Sequence, residues 1–206
     1  MPHGFSVFGI DVSHHQGSID WDKVAGTSQN EYPISFVMIK ATEGGDFMDE
    51  NYDSNIVNAR RVGLTCGSYL FFNPKTDPVV QTEFFTKAVA LYPGDIPPVI
   101  DVEQHGESRE LLQKRLLECL RLIENHYGVR PVIYTSYKFR RHYLDNPAFD
   151  DYLFWIAHHY VEKLADDAEW TFWQFTDRGR VNGISGYTDL NTFAGTQAEF
   201  RSILVK

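Results

Sequence analysis

The chain has 206 residues, of which 43% are hydrophobic and 23% charged, and a formal net charge of −9 at pH 7. These values suit one globular domain over 1–206, burying roughly 70% of its unfolded surface, and exclude a disordered or collagen-like chain. The acidic balance argues against a nucleic-acid partner, and no apolar run approaches the ~18 residues of a membrane helix.

The opening Met-Pro-His-Gly-Phe carries no apolar signal core. Residues 5–13 then read as a strand, rich in β-branched and aromatic side chains and followed by turn residues. A second strand is expected at 34–42 and a helix at 51–62. A third strand follows at 65–72, a helix at 77–91 and a fourth strand at 97–103. The clearest helix is 107–127, where Leu111, Leu112, Arg115, Leu116, Cys119, Leu120, Ile123 and Tyr127 are spaced as one face between Ser108 and the stop at Gly128. Strands at 131–136, 152–159, 170–176 and 188–193, a helix at 137–144 and a closing helix at 196–204 complete the series. Cys66 and Cys119 fall in apolar runs and read as small buried hydrophobes, with neither C-x-x-C nor zinc spacing.

Strands alternating with helices imply parallel pairing, and eight strands in this length imply an α/β fold closed as a TIM-like (β/α) barrel. About ten residues separate the last three strands from one another. A full crossover connection, helix included, needs about 10–12 residues. The barrel is therefore expected to be irregular, with helices missing late in the chain. An open doubly wound sheet is the other reading, but no Gly-rich phosphate loop follows an early strand.

Barrel chemistry sits at the C-terminal strand ends. There the sequence offers Asp11 on the first strand, Asp101 and Glu103 on the fourth, and Asp189 on the eighth. A single acid at a strand end commonly caps a helix or turn. Alternation, however, turns Asp101 and Glu103 to one face while Ile100 and Val102 face the helices, and the neighbours of Asp11 orient it likewise. Carboxylates converging in one cavity repel, so at least one keeps its proton near neutrality, as glycosidic bond cleavage requires of its general acid. Tyr69, Tyr134 and Trp155 fall near other strand ends and Gln174 on the seventh strand, where rings stack on sugars and an amide bonds hydroxyl or acetamido groups. The same aromatics would also serve as barrel filling. Lys40, a charge inside an apolar strand, is expected to pair with one of the four acids. His14-His15 and His158-His159 lie near the acids, but at most one of each pair can face the cavity, and no His-x-x-x-His accompanies them. No metal or other cofactor is therefore expected. A metal-dependent deacetylase remains the rival enzyme and a non-catalytic glycan-binding barrel the rival non-enzyme.

The run Asp11-Val12-Ser13-His14-His15-Gln16-Gly17-Ser18-Ile19-Asp20-Trp21 resembles the opening of the glycoside hydrolase family 25 lysozymes. Ile39-Lys40-Ala41-Thr42-Glu43-Gly44, Gly67-Ser68-Tyr69-Leu70-Phe71-Phe72, Asp101-Val102-Glu103, Trp155-Ile156-Ala157-His158, Trp173-Gln174-Phe175 and Asp189-Leu190-Asn191 continue it in order. The resemblance implies an irregular eight-stranded barrel and a muramidase cutting the β-1,4 bond from N-acetylmuramic acid to N-acetylglucosamine in bacterial peptidoglycan. It makes Glu103 the acid, with Asp11, Asp101 and Asp189 in the cleft. Family members commonly have His where this chain has Leu70, a position that alternation turns away from the cavity. Such a wall substrate implies an exported enzyme, and a monomer is expected. Same-strand acids approach the sugar from one side, which favours Asp101 orienting the substrate's own acetamido group for attack; Asp189 or Asp11 is the rival nucleophile or base.

Overall fold

The structure, a computed structural model, describes residues 2–29, 31–165 and 169–206. Its strands are β1 (Phe8–Val12), β2 (Ser28–Gln29), β3 (Tyr32–Glu43), β4 (Phe47–Met48), β5 (Thr65–Phe71), β6 (Val99–Asp101), β7 (Val132–Ser136), β8 (Leu153–Ala157), β9 (Phe172–Gly179) and β10 (Thr188–Phe193). The helices are α1 (Trp21–Ala25), α2 (Tyr52–Arg61), α3 (Pro78–Ala88), α4 (Arg109–Tyr127), α5 (Tyr137–Tyr143) and α6 (Gln197–Ser202). The short β2 and β4 only extend β3; the other strands pair in the ring β1-β3-β5-β6-β7-β8-β9-β10, which closes back on β1. This is the irregular α/β barrel expected from the sequence. Among the described residues, no helix lies between β8 and β9 or between β9 and β10.

One strand departs from the expected parallel order. Neighbours from β1 through β9 are parallel, but β10 runs antiparallel to both β9 and β1. The cause is loop length: residues 180–187 cannot carry the chain back across the barrel, so it reverses as a hairpin. The fourth strand is also shorter than expected, ending at Asp101.

Alternation divides the side chains into two cores. Outward residues such as Ile10, Ile39, Leu70, Ile100, Ile133 and Ile156 pack under the helices with Leu116, Cys119 and Leu120 of α4. Inward residues Phe36, Met38, Val99, Val132, Phe172 and Phe193 fill the barrel. Helix α6 plugs the end opposite the acids, where the Phe200 ring lies 5.5 Å from Phe36 and 5.4 Å from Phe193. Local signals hold the helices in place: Ser108 Oγ accepts from Leu111 N at 3.1 Å, and Gly128 ends α4 in the left-handed region at φ 70°. Both cysteines are free and buried, with their thiols pushed up to about 12 by burial.

Space inside the barrel depends on a missing side chain. A Cβ at Gly9 would lie 2.4 Å from the Phe36 ring. We expect Gly9→Ala to cost about 1–3 kcal/mol through overpacking, read as a lower urea midpoint. An unchanged midpoint would show that the interior yields more readily than its packing implies.

Candidate active site

With the lower barrel filled by apolar side chains, the polar residues collect at the other end. Asp11, Lys40, Tyr69, Asp101, Glu103, Tyr134, Trp155, Gln174 and Asp189, all singled out from the sequence, line one cavity of about 270 Å³. Ser13, His15, Phe71 and His159 line it too. Asp189 reaches this rim from the start of β10, not from its end as sequence order implied, because the reversed strand begins where its neighbours finish.

Asp11 and Asp189 are directly opposed across the β1–β10 ladder. Cross-strand partners bring their side chains within about 5 Å, so two negative charges there destabilise the sheet. Burial and this repulsion raise the Asp189 carboxyl above its ordinary value. Asp11 is raised as well, by burial first, but Asn191 and Gln174 oppose the rise. Asn191 Nδ2 donates to Asp11 Oδ2 at 2.7 Å and Gln174 Nε2 donates to the same oxygen at 3.0 Å. The two donors favour ionised Asp11, which leaves Asp189 the better proton holder of the pair.

Across the cavity, Asp101 is buried, and its Oδ1 has no hydrogen-bond partner among the described residues. Burial, then the charges of Glu103 and Asp11, push its carboxyl well above the usual range. Glu103 stands just past β6, exposed at the rim while lining the cavity. Its carboxyl is raised by desolvation, opposed by the Tyr134 hydroxyl and by His159 and Lys40. The site therefore holds a protonatable acid at its mouth beside carboxylates of differing proton affinity, the pattern suited to acid–base chemistry on a glycosidic oxygen.

Lys40 does not pair with any of these acids. Its Nζ bonds Glu43 Oε2 at 2.6 Å on its own strand and lies 4.9 Å from the centre of the Phe71 ring. A register shift between Lys40 and Thr42 against β5 makes Ala41 the extra residue, so Lys40 and Glu43 fall on the same face. Leu70 is fully buried beneath the helices, on the face away from the cavity.

The aromatics are held more tightly than open stacking walls. Trp155 is 2% exposed, with its ring 4.3 Å from Tyr134 and 6.5 Å from Tyr69, and so forms the floor. Its Nε1 donates to Asn191 Oδ1 at 2.8 Å, while the Tyr134 hydroxyl donates to Gln174 Oε1 at 2.9 Å. Asn191 bonds Asp11 and His159 lines the cavity, and neither stands out by pattern alone. Alternation from Asp189 would have placed Asn191 inward; His159 had no motif to mark it. Of each histidine pair, one member lines the cavity. His14 is turned away by Asp49, which accepts from its Nδ1 at 2.8 Å, and His158 stacks on Tyr137 at 4.9 Å.

Comparison with known proteins bears on this geometry. The model of glycosyl hydrolases family 25 matches residues 10–184. The uncharacterized protein YegX of Escherichia coli O157:H7 is 38% identical over 99% of this chain and 75% of its own. Lysozyme M1 of Streptomyces globisporus is 32% identical over 96% of this chain and 71% of its own. A solved family 25 glycosyl hydrolase from Bacillus anthracis superposes with a TM-score of 0.86 at 33% identity, covering 96% of this chain and 93% of that one.

Proposed function

The chain belongs to glycosyl hydrolases family 25 and is a glycoside hydrolase; from that membership we propose a lysozyme that cleaves the β-1,4 bond between N-acetylmuramic acid and N-acetylglucosamine in bacterial peptidoglycan. The observation that carries the reading is the gathering of Asp11, Asp101, Glu103 and Asp189 around one cavity. A lysozyme of Streptomyces globisporus among its relatives supports the substrate. Such a substrate places the enzyme at the cell envelope or outside the cell.

Glu103, raised by desolvation and open to the rim, donates a proton to the leaving oxygen and then activates water. Asp101 sits two residues away and cannot flank the bond from the opposite side. It instead orients the 2-acetamido group, whose carbonyl oxygen attacks the anomeric carbon, giving retention through the substrate itself. Ionised Asp11 adds negative charge near Glu103, while Gln174, Tyr134 and Tyr69 line the cavity that receives the sugar. Lys40, closed against Glu43 and Phe71, meets the glycan at the edge of the cleft.

Digestion of purified peptidoglycan followed by mass spectrometry tests the bond. New reducing ends on N-acetylmuramic acid are expected; ends on N-acetylglucosamine, or intact glycan, would refute the reading. The carboxyl chemistry needs no metal, so exhaustive chelation should leave the rate unchanged. Loss of activity restored by a stoichiometric metal would favour a deacetylase-like mechanism.

A further inference from the structure

Two amides hold Asp11, and they differ in what fixes their orientation. Asn191 is tied by Trp155, whose indole N–H can only donate, so Asn191 Oδ1 must accept and Nδ2 must face Asp11. Gln174 has Oε1 2.9 Å from the Tyr134 hydroxyl and 2.9 Å from His159 Nε2, and Nε2 3.0 Å from Asp11 Oδ2. A tyrosine hydroxyl donates or accepts, so it is compatible with either way round of the amide. An imidazole nitrogen has no such freedom: with its hydrogen it donates, without it only accepts. A bare His159 Nε2 would draw the Gln174 amino group toward itself and turn the amide oxygen onto Asp11 Oδ2. Two acceptors would then face each other unless Asp11 took up a proton.

The geometry points to His159 as a positioning residue: its Nε2–H, donated to Gln174 Oε1, fixes the Gln174 amide and thereby holds Asp11 as an ionised acceptor. The half-buried ring stands at the end of β8, within the reach of several charges. Those are Glu103 beyond β6, Asp177 on β9, Asp189 on β10 and His158 beside it. A ring with hydrogen on Nε2, whether neutral or protonated, donates to Gln174 Oε1 and keeps the lock. The inference deepens the muramidase reading and depends on it only for its kinetic readout.

Long-range proton–nitrogen NMR of the ¹⁵N-labelled full chain tests the lock without substrate. The Nε2 of His159, assigned by its loss in His159→Phe or, if that variant does not fold, in His159→Gln, should carry hydrogen across pH 5–7 (roughly the range of imidazole titration). A bare Nε2 there would overturn the inference whatever the enzyme cleaves. In peptidoglycan turnover, His159→Phe should lower kcat about tenfold, the worth of one hydrogen bond, with KM nearly unchanged. The acid limb of its kcat profile should move up by about one pH unit, because Asp11 then gains a proton more readily. His159→Arg, an obligate donor, should recover most of kcat. A phenylalanine variant with the wild-type kcat and pH profile would refute the assignment. A protonated Nε2 in a protein that leaves peptidoglycan intact would support the lock while removing the proposed substrate.

Discussion

Glu103→Gln is expected to fold and bind glycan as the wild type does while losing at least ~10²–10⁴ of the rate, the usual worth of a general acid. The side chain stands at the rim just past β6, where no ladder hydrogen bond or packed core depends on its charge. Its thermal midpoint should therefore stay close to wild type, and the defect should appear in kcat with little change in KM. Glutamine keeps the shape and the hydrogen-bonding oxygen but has no proton to give at the leaving oxygen. Near-wild-type turnover, measured by release of soluble fragments from peptidoglycan, would remove Glu103 from the mechanism.

Asp101→Asn should do two opposite things at once. Asp101 is buried with its Oδ1 unpartnered among the described residues, and burial with the charges of Glu103 and Asp11 raises its carboxyl well above the usual range. A carboxyl whose native pKa is raised binds its proton more tightly folded than unfolded. Its contribution to stability is intact below the unfolded value of roughly 4 and declines as pH rises toward the native value. Asparagine has the same shape and no charge, so it should stabilise the fold by about 0.5–2 kcal/mol at neutral pH. Denaturant titrations across pH should show that advantage growing upward from about pH 4 and disappearing below it. The same substitution should cost about 10²–10³ in kcat, because an amide cannot support the charge that develops as the acetamido group attacks. A variant neither more stable at pH 7 nor slower would show that Asp101 is ordinary barrel filling.

Buried strands declare themselves by β-branched and aromatic runs, so the eight barrel strands and the late loss of helices were legible, as was the inward set Asp11, Asp101 and Asp189. Strand direction was not, because periodicity is identical forwards and backwards. Only the eight-residue link 180–187 contained the reversal of β10. Nor was the partner of Lys40 legible. On a regular strand Lys40 and Glu43 would face opposite sides, and the extra residue at Ala41 that joins them follows from register against β5, a tertiary property. The hydrogen-bond chain through Asn191, Gln174 and His159 likewise depends on which strands become neighbours. Asp11 lies 163 positions from Gln174 and 180 from Asn191, and no local pattern spans such distances.

Asp101 and Glu103 lie two residues apart at one strand end, and the proposal that most needs testing is that they leave the attack to the substrate's own acetamido group. Proton NMR of the reaction, followed from its first minutes on matched glycans with and without the 2-acetamido group at the cleaved sugar, tests it directly. The expected result is a β-anomer as first product from the acetamido glycan and no cleavage of the other. Efficient cleavage of the glycan lacking the group, or an α-anomer formed first, would contradict it and return the attacking role to Asp11, Asp189 or water.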